Sequence, residues 1–395
     1  MSAKILHASN RLVPLEAYRG IAAFIVLVHH FFLAFSPYTM GILPTVRNTE
    51  SLIGQPYFAL FNGTGAVGFF FTLSGFVLCW SYFHHEDRQK LLLAFLKRFP
   101  RLVAIVTLTT IASYCLFKLN LYYFREASDL SSSPWLAAFA FGLTPDFEPN
   151  FLKALTQGVT TFFTGAANYN TNLWTMKPEF FGSMIVYMLA CFISVILGYR
   201  HLIYALAIIS ISAFFYNDLI FPFVVGAFLS AYLAKSKTEV SFLTSIGLII
   251  LGLYFLGYML PEKAYIGFSI IPQSVMEHSQ TLFHTLGSAC IIFATMSNKT
   301  LFNSLNGRFF ASIGKISFPL YLVHTLIICS LSSYAYVKFM SHGFNNTTSL
   351  VIVFTVTAVT SIALAVPLSK FDDWWVKRVD SGVQGLLGKN DELRP

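Results

Sequence analysis

Apolar stretches of 15 to 21 residues, several of them short for a full span, recur along the whole chain. They lie near 15–35, 62–80, 99–119, 178–198, 202–216, 218–234, 242–260, 281–297, 316–333 and 349–369. A hydrocarbon core takes roughly 20 helical residues to cross. Backbone polar groups inside it must be paired within the segment, which favours helices for runs of this kind. The expectation is an all-α fold, a polytopic transmembrane helical bundle of about ten spans. Residues 1–380 would form a single domain and 381–395 a polar C-terminal tail. Composition points the same way: 55% of residues are hydrophobic and only 11% charged, with a mean hydropathy of +0.64. In such a chain the net charge of +8 sets orientation and implies no nucleic-acid partner.

Basic residues cluster in alternate connections. Lys4, Arg11 and Arg19 precede or open the first run, and Arg88, Lys90, Lys97, Arg98 and Arg101 follow the second. Arg200, then Lys235 and Lys237, then Lys299, Arg308 and Lys315, and finally Lys370, Lys377 and Arg378 fall on the same side. The intervening connections are poor in Lys and Arg, so both termini are expected in the cytoplasm. Met1–Pro14 is polar and basic and shows no small-residue cleavage site, so the first run reads as an uncleaved span. The longest non-cytoplasmic connection, about Asn120–Lys177, holds Pro134, Pro145 and Pro149. It also holds an apolar piece, Phe151–Gly165, too short to span and expected to be re-entrant or interfacial. Five scattered cysteines, Cys79, Cys115, Cys191, Cys290 and Cys329, read as small buried hydrophobes.

The first run, Leu15–Phe35, carries Arg19 and His30. Eleven residues advance a helix about 1100°, three turns plus roughly 20°, so both side chains share a face with Ala23, Val26 and Leu27. Ionisable groups within membrane helices are costly and mark function, although snorkelling or packing also accounts for single cases. In the second run Gly63, Gly65 and Gly68 match a dinucleotide fingerprint by letter only, since no strand precedes them. Close helix approach explains them better. Ser74-Gly75, deeper in that run, does the same or leaves room for a substrate. Arg98 and Arg101 at the third run are either an orienting anchor or a fork for a phosphate-bearing donor.

In Asn172-Leu-Trp174-Thr-Met-Lys177-Pro178-Glu179, Pro178 is expected to begin a helix and Glu179 to sit in its first turn. Glu179 is then a plain first-turn acid or a carboxylate orienting an acceptor hydroxyl or a histidine. Trp174 is a belt aromatic or a flat surface for a sugar ring. The ninth run places His324 five residues inside Pro319, with Tyr321 a turn earlier. His84-His85-Glu86-Asp87 reads as a solvated loop rather than a metal site.

Together these motifs resemble the acyltransferase 3 family of integral-membrane O-acyltransferases. The resemblance rests on Glu16, Arg19 and, after ten residues, His30; on Phe70-Phe71-Thr-Leu73-Ser74-Gly75-Phe76; on Arg98 and Arg101; on Trp174 to Glu179; and on Ser317-Phe318-Pro-Leu-Tyr321-Leu-Val-His324. These motifs run in order through residues 12–370. The resemblance implies transfer of an acyl group, often acetyl, from cytoplasmic acyl-CoA as co-substrate to a hydroxyl of a carbohydrate or cell-envelope glycan. It implies no bound cofactor and no metal, with location in the bacterial inner membrane. His30, Arg19 and Glu179 would be catalytic, and Arg98, Arg101, Trp174, Ser74, Tyr321 and His324 would bind substrate. The depths expected are Arg19 near the cytoplasmic face, His324 in the inner half, His30 mid-membrane and Glu179 near the far side. Two alternatives stand beside this: a proton-coupled transporter with an intramembrane His/Glu relay, and an O-acyltransferase of an unrelated fold that needs only His324.

Overall fold

In a computed structural model, residues 12–43, 47–139, 147–196, 198–236 and 238–388 are described. Lys4, Arg11, Pro145, Lys237 and residues 389–395 of the tail, which entered the charge and loop readings, lie outside them. The described residues form helices and no strand. The helices that matter here are α1 (Val13–Phe35), α2 (Gly63–His85), α3 (Arg88–Lys118), α4 (Phe124–Ser131), α5 (Phe151–Thr164), α6 (Met176–Ile196), α7 (Gly198–Tyr216), α8 (Phe221–Lys235), α9 (Phe242–Leu256), α10 (Ser279–Met296), α11 (Arg308–Ile327) and α12 (Asn346–Gly388). Each apolar run of the sequence falls on one of them. Among the described residues four helical stretches are long and apolar enough to cross a membrane: Val13–Phe35, Gly63–His85, Arg308–Ser341 and Asn346–Gly385. Ile203–Tyr216, Phe221–Lys235 and Phe242–Leu256 are shorter apolar helices.

The chain divides into two compact units. The first comprises 1–23, 54–92 and 181–317. It is built on close approaches between helix backbones. A Cβ on Gly75 of α2 would run into the Phe223 carbonyl of α8, and one on Gly226 of α8 into the Thr72 carbonyl of α2. Gly68 meets the His284 side chain of α10 in the same way, and Gly252 and Gly287 bring α9 against α10. Without a hydrophobic force between helices in lipid, such small-residue contacts maximise packing and hold the bundle together. Asn62 caps α2 by accepting from Gly65 N at 3.2 Å, while its amide donates to Leu256 O at 2.7 Å. One side chain thus satisfies orphaned groups at two helix ends.

The second unit comprises 24–53, 93–180 and 318–395. Its core joins Phe31 and Phe35 of α1 to Phe124, Leu136, Phe139, Leu326, Ile328, Tyr336 and Val353. The apolar piece of the long connection is α5, capped by Asn150 and closed by Gly165 at φ 76°. It lies against α3, where Gly158 lets the two backbones meet at Thr107.

Four local expectations change. First, α3 begins at Arg88, well before the apolar run, and carries Pro100 inside it. Second, α6 begins at Met176, so Pro178 is its third residue rather than its first. Its missing N–H still falls among the unpaired donors of a first turn, and the helix tolerates it there. Third, the tail remains helical through Gly388. The stretch leading into it is docked on α3: Trp375 Nε1 donates to Pro100 O at 2.6 Å, and Lys97 pairs with Asp380 at 2.9 Å. Fourth, only Cys79 and Cys329 are buried, whereas Cys115 is exposed and Cys191 and Cys290 are intermediate.

Candidate active site

α11 supplies a histidine whose position depends on irregular helix. Pro319 interrupts the donors of its middle turns, and after Ile327 the chain widens into a π turn at Ile328–Ser332. Such turns relax the i→i−4 ladder and recur at functional sites. His324 is fully buried between these two irregularities. Its Nδ1 lies 3.0 Å from Leu320 O, a carbonyl one turn back. A carbonyl only accepts, so Nδ1 carries the proton and Nε2 of a neutral ring is left with a lone pair.

That Nε2 lies 2.9 Å from Nδ1 of His30 on α1. Because His324 Nε2 accepts, His30 Nδ1–H donates. The lone pair of His30 is therefore at Nε2, which no group among the described residues hydrogen-bonds. This tautomer assignment follows from the partners and is a chain of three fixed choices starting at one backbone carbonyl. The His30 ring lies nearly parallel to His324 (centroids 5.1 Å, 20°) and to Trp135 (4.9 Å, 23°). His29 meets it edge-on at 5.4 Å.

A short helical turn, Thr171–Thr175, fastens this part of α11. Asn170 Nδ2 donates to Leu322 O at 2.7 Å and Asn170 Oδ1 accepts from Thr325 Oγ1 at 2.9 Å. Asn172 Nδ2 donates to Tyr321 O at 2.7 Å and stands 3.5 Å from His324 Nε2. The Tyr321 hydroxyl, buried, donates back to Asn172 O at 3.1 Å and lies 2.9 Å from Thr175 Oγ1. Tyr321 thus acts as a tie between the turn and the helix.

Glu179 and Arg98 form an ion pair, with side chains 14% and 8% exposed. Neighbouring rings line the same region: Phe99 lies 5.5 Å from both Phe162 and Phe163 and 5.9 Å from Phe180. Two of the expected depths fail here. Arg98 at the cytoplasmic mouth and Glu179 at the far side cannot both hold, since the two touch. The cause is α3, which begins ten residues before Arg98 and so moves it inward along the helix. His324 and His30, by contrast, touch across α11 and α1. Arg101, one turn further, is exposed, and so is Trp174.

Arg19 and Ser74 belong to the other unit. Arg19 faces Glu16 at 3.7 Å, one turn earlier on α1. Ser74 is buried, and the backbone of Phe223 fills the space beside Gly75, leaving no room for substrate next to that glycine. His84 and His85 close α2, and Glu86 pairs with Lys235 at 2.7 Å. Among the described residues no group of three or more His, Cys, Asp or Glu is arranged to hold a metal ion.

Trp135, Asn170, Asn172 and Thr325 were not singled out as site residues from the sequence. Ser133-Pro134 gave a signal for Trp135, because a Ser cap followed by proline opens a turn whose next side chain is directed. Two asparagines spaced two apart ahead of Trp174 gave the other.

No curated protein and no solved structure matches the chain. A family model described as an acyltransferase domain matches residues 14–369, nearly its whole length, and the chain belongs to this acyltransferase 3 family of enzymes.

Proposed function

We propose that this acyltransferase moves an acyl group, acetyl in the first instance, from cytoplasmic acyl-CoA to a hydroxyl of a carbohydrate or cell-envelope glycan. The observation that carries the reading is the Nε2 of His30, unpaired among the described residues and left as the basic nitrogen by the chain Leu320 O, His324, His30. His30 Nε2 takes the proton of the acceptor hydroxyl as its oxygen attacks the thioester carbonyl. The C–S bond breaks, and the proton passes from Nε2–H to the departing thiolate, so His30 ends as it began. His324 accepts from His30 throughout and stabilises the imidazolium that forms, while Trp135 presents its ring face to the same cation.

Arg98 and Arg101 of the second unit are proposed for the phosphates of the donor, since guanidinium forks bind phosphate bidentately, and Arg19 of the first unit is a separate candidate for that role on the same chemistry. Glu179, paired with Arg98, orients that arginine rather than His30. Trp174, with its exposed indole, offers a flat apolar surface to a sugar. Ser74 and Tyr321 act through packing and the tie to Asn172 rather than by touching substrate. The alternating basic clusters support ten spans with both termini cytoplasmic, in a bacterial inner membrane. The family gives no support to a proton-coupled transporter.

The test is His30→Ala, read as coenzyme A thiol release by the purified protein and as mass-spectrometric acylation of surface glycans. Both fall to background while the folded protein remains in the membrane. Full transfer by that variant removes His30 from the chemistry, and unchanged glycans in cells lacking the protein overturn the acceptor class.

A further inference from the structure

The catalytic reading requires His30 Nε2 to be bare, which in turn requires His324 Nε2 to be bare. Leu320 O favours that state by holding the proton of His324 at Nδ1. A second group acts on Nε2 itself. The Asn172 amide is held with its NH₂ toward α11, because Tyr321 O, 2.7 Å away, is a pure acceptor and leaves no choice between the two ends of the amide. The same NH₂ stands 3.5 Å from His324 Nε2 and 3.3 Å from Thr325 Oγ1. The group facing Nε2 from the turn 171–175 is therefore a donor. A proton on Nε2 would oppose Asn172 N–H and His30 Nδ1–H at once, with Asn172 2% exposed and His324 fully buried.

We infer that Asn172 is a positioning residue that locks the tautomer of the His30–His324 pair, so that the basic lone pair emerges at Nε2 of His30. This rests on the proposed role of His30 as the base. The lock makes a specific distinction between substitutions. Asn172→Ala removes this donor and leaves the tautomer to Leu320 O alone, so part of the population goes out of register. Asn172→Asp, nearly isosteric, turns an acceptor oxygen toward Nε2 and draws a proton onto it. His30 Nδ1 then becomes the acceptor of that proton's hydrogen bond, its own proton moves to Nε2, and the base is lost.

The experiment uses the full chain in detergent or nanodiscs with 15N-labelled histidine. His30 and His324 signals are identified by their disappearance in His30→Asn and His324→Asn. Nitrogen chemical shifts distinguish a protonated from a bare ring nitrogen directly. Expected in the wild type is a bare Nε2 on His324, in Asn172→Ala a mixture of the two tautomers, and in Asn172→Asp a protonated Nε2. Thiol release from acetyl-CoA is measured alongside. Its kcat in Asn172→Asp falls about 10²-fold, the scale of a lost general base, and in Asn172→Ala by a smaller factor in step with the displaced tautomer, while KM changes little in either; an Asn172→Ala with the wild-type tautomer and full kcat overturns the lock. A wild-type His324 protonated at Nε2 overturns the lock even if Asn172→Asp does not fold. So does a folded Asn172→Asp with the wild-type tautomer. If instead the tautomers behave as stated but His30→Ala remains active, the lock stands and the assignment of His30 as the base fails.

Discussion

The Arg98–Glu179 pair offers a quantitative test of what this chain keeps inside. Both side chains are largely buried. In such surroundings each charge has lost most of its hydration, and its partner supplies the compensation. Removing one member takes away the main compensation of the other, a loss of about 3–5 kcal/mol, whereas an exposed pair is worth about 0–1 kcal/mol. Arg98→Met and Glu179→Gln should each lower the thermal midpoint by roughly 5–10 °C at ~2 °C per kcal/mol for a chain this large. The double variant removes both charges together and should recover most of that, so the coupling energy in the cycle exceeds the loss in either single variant. Thermal unfolding in detergent, followed by intrinsic fluorescence at one fixed scan rate, gives the ordering. Two single losses below about 1 kcal/mol that simply add would refute the buried-pair argument.

The same four proteins separate structure from substrate binding at Arg98. If the guanidinium contacts the donor's phosphates, the double variant regains its midpoint but keeps a raised KM for acetyl-CoA. Activity that returns together with stability assigns Arg98 to the fold alone, and leaves Arg19 and Arg101 as the donor's contacts.

Two further outcomes follow from the geometry. Gly75→Ala should cost about 1–3 kcal/mol, because its Cβ meets the Phe223 backbone, which has no rotamer to yield. Gly247→Ala, with nothing within 4 Å of the added atom, should be neutral or stabilise by a few tenths of a kcal/mol; equal midpoints for the two would contradict the close approach of α2 and α8. At the site, Trp135→Leu removes the ring that faces His30 and should lower kcat about 3- to 30-fold, the range of a cation–π contribution of about 0.5–2 kcal/mol. Trp135→Phe should retain most of kcat, and equal losses in both would make Trp135 a packing residue only.

Helix content and the spacing of Arg19 and His30 could be read directly from the chain, because both depend on neighbours a few residues apart. Asn62 and Ser133 as caps, and Gly75 and Gly226 as contact points, are signals of the same short range. What spacing could not supply was pairing at long separation. His30 and His324 are 294 residues apart and Arg98 and Glu179 are 81 apart. Each of the four, taken alone, is an ionisable group in an apolar run with several equally good explanations. The expected separation of Arg98 from Glu179 fails because α3 begins at the charged Arg88, ten residues before Arg98 and ahead of its first apolar residue.

The asparagines escaped for a different physical reason. Asn170 and Asn172 carry no charge and belong to no periodic face, so neither intramembrane cost nor helical register singles them out. Their importance lies in direction: an amide whose orientation is fixed by a carbonyl dictates which nitrogen of a distant imidazole can be protonated. Direction of this kind is written in hydrogen-bond geometry and not in residue type. A buried amide beside a histidine, with one end already committed to a backbone carbonyl, is accordingly as strong a pointer to the reactive nitrogen as the histidine itself. Here it points through His324 to Nε2 of His30.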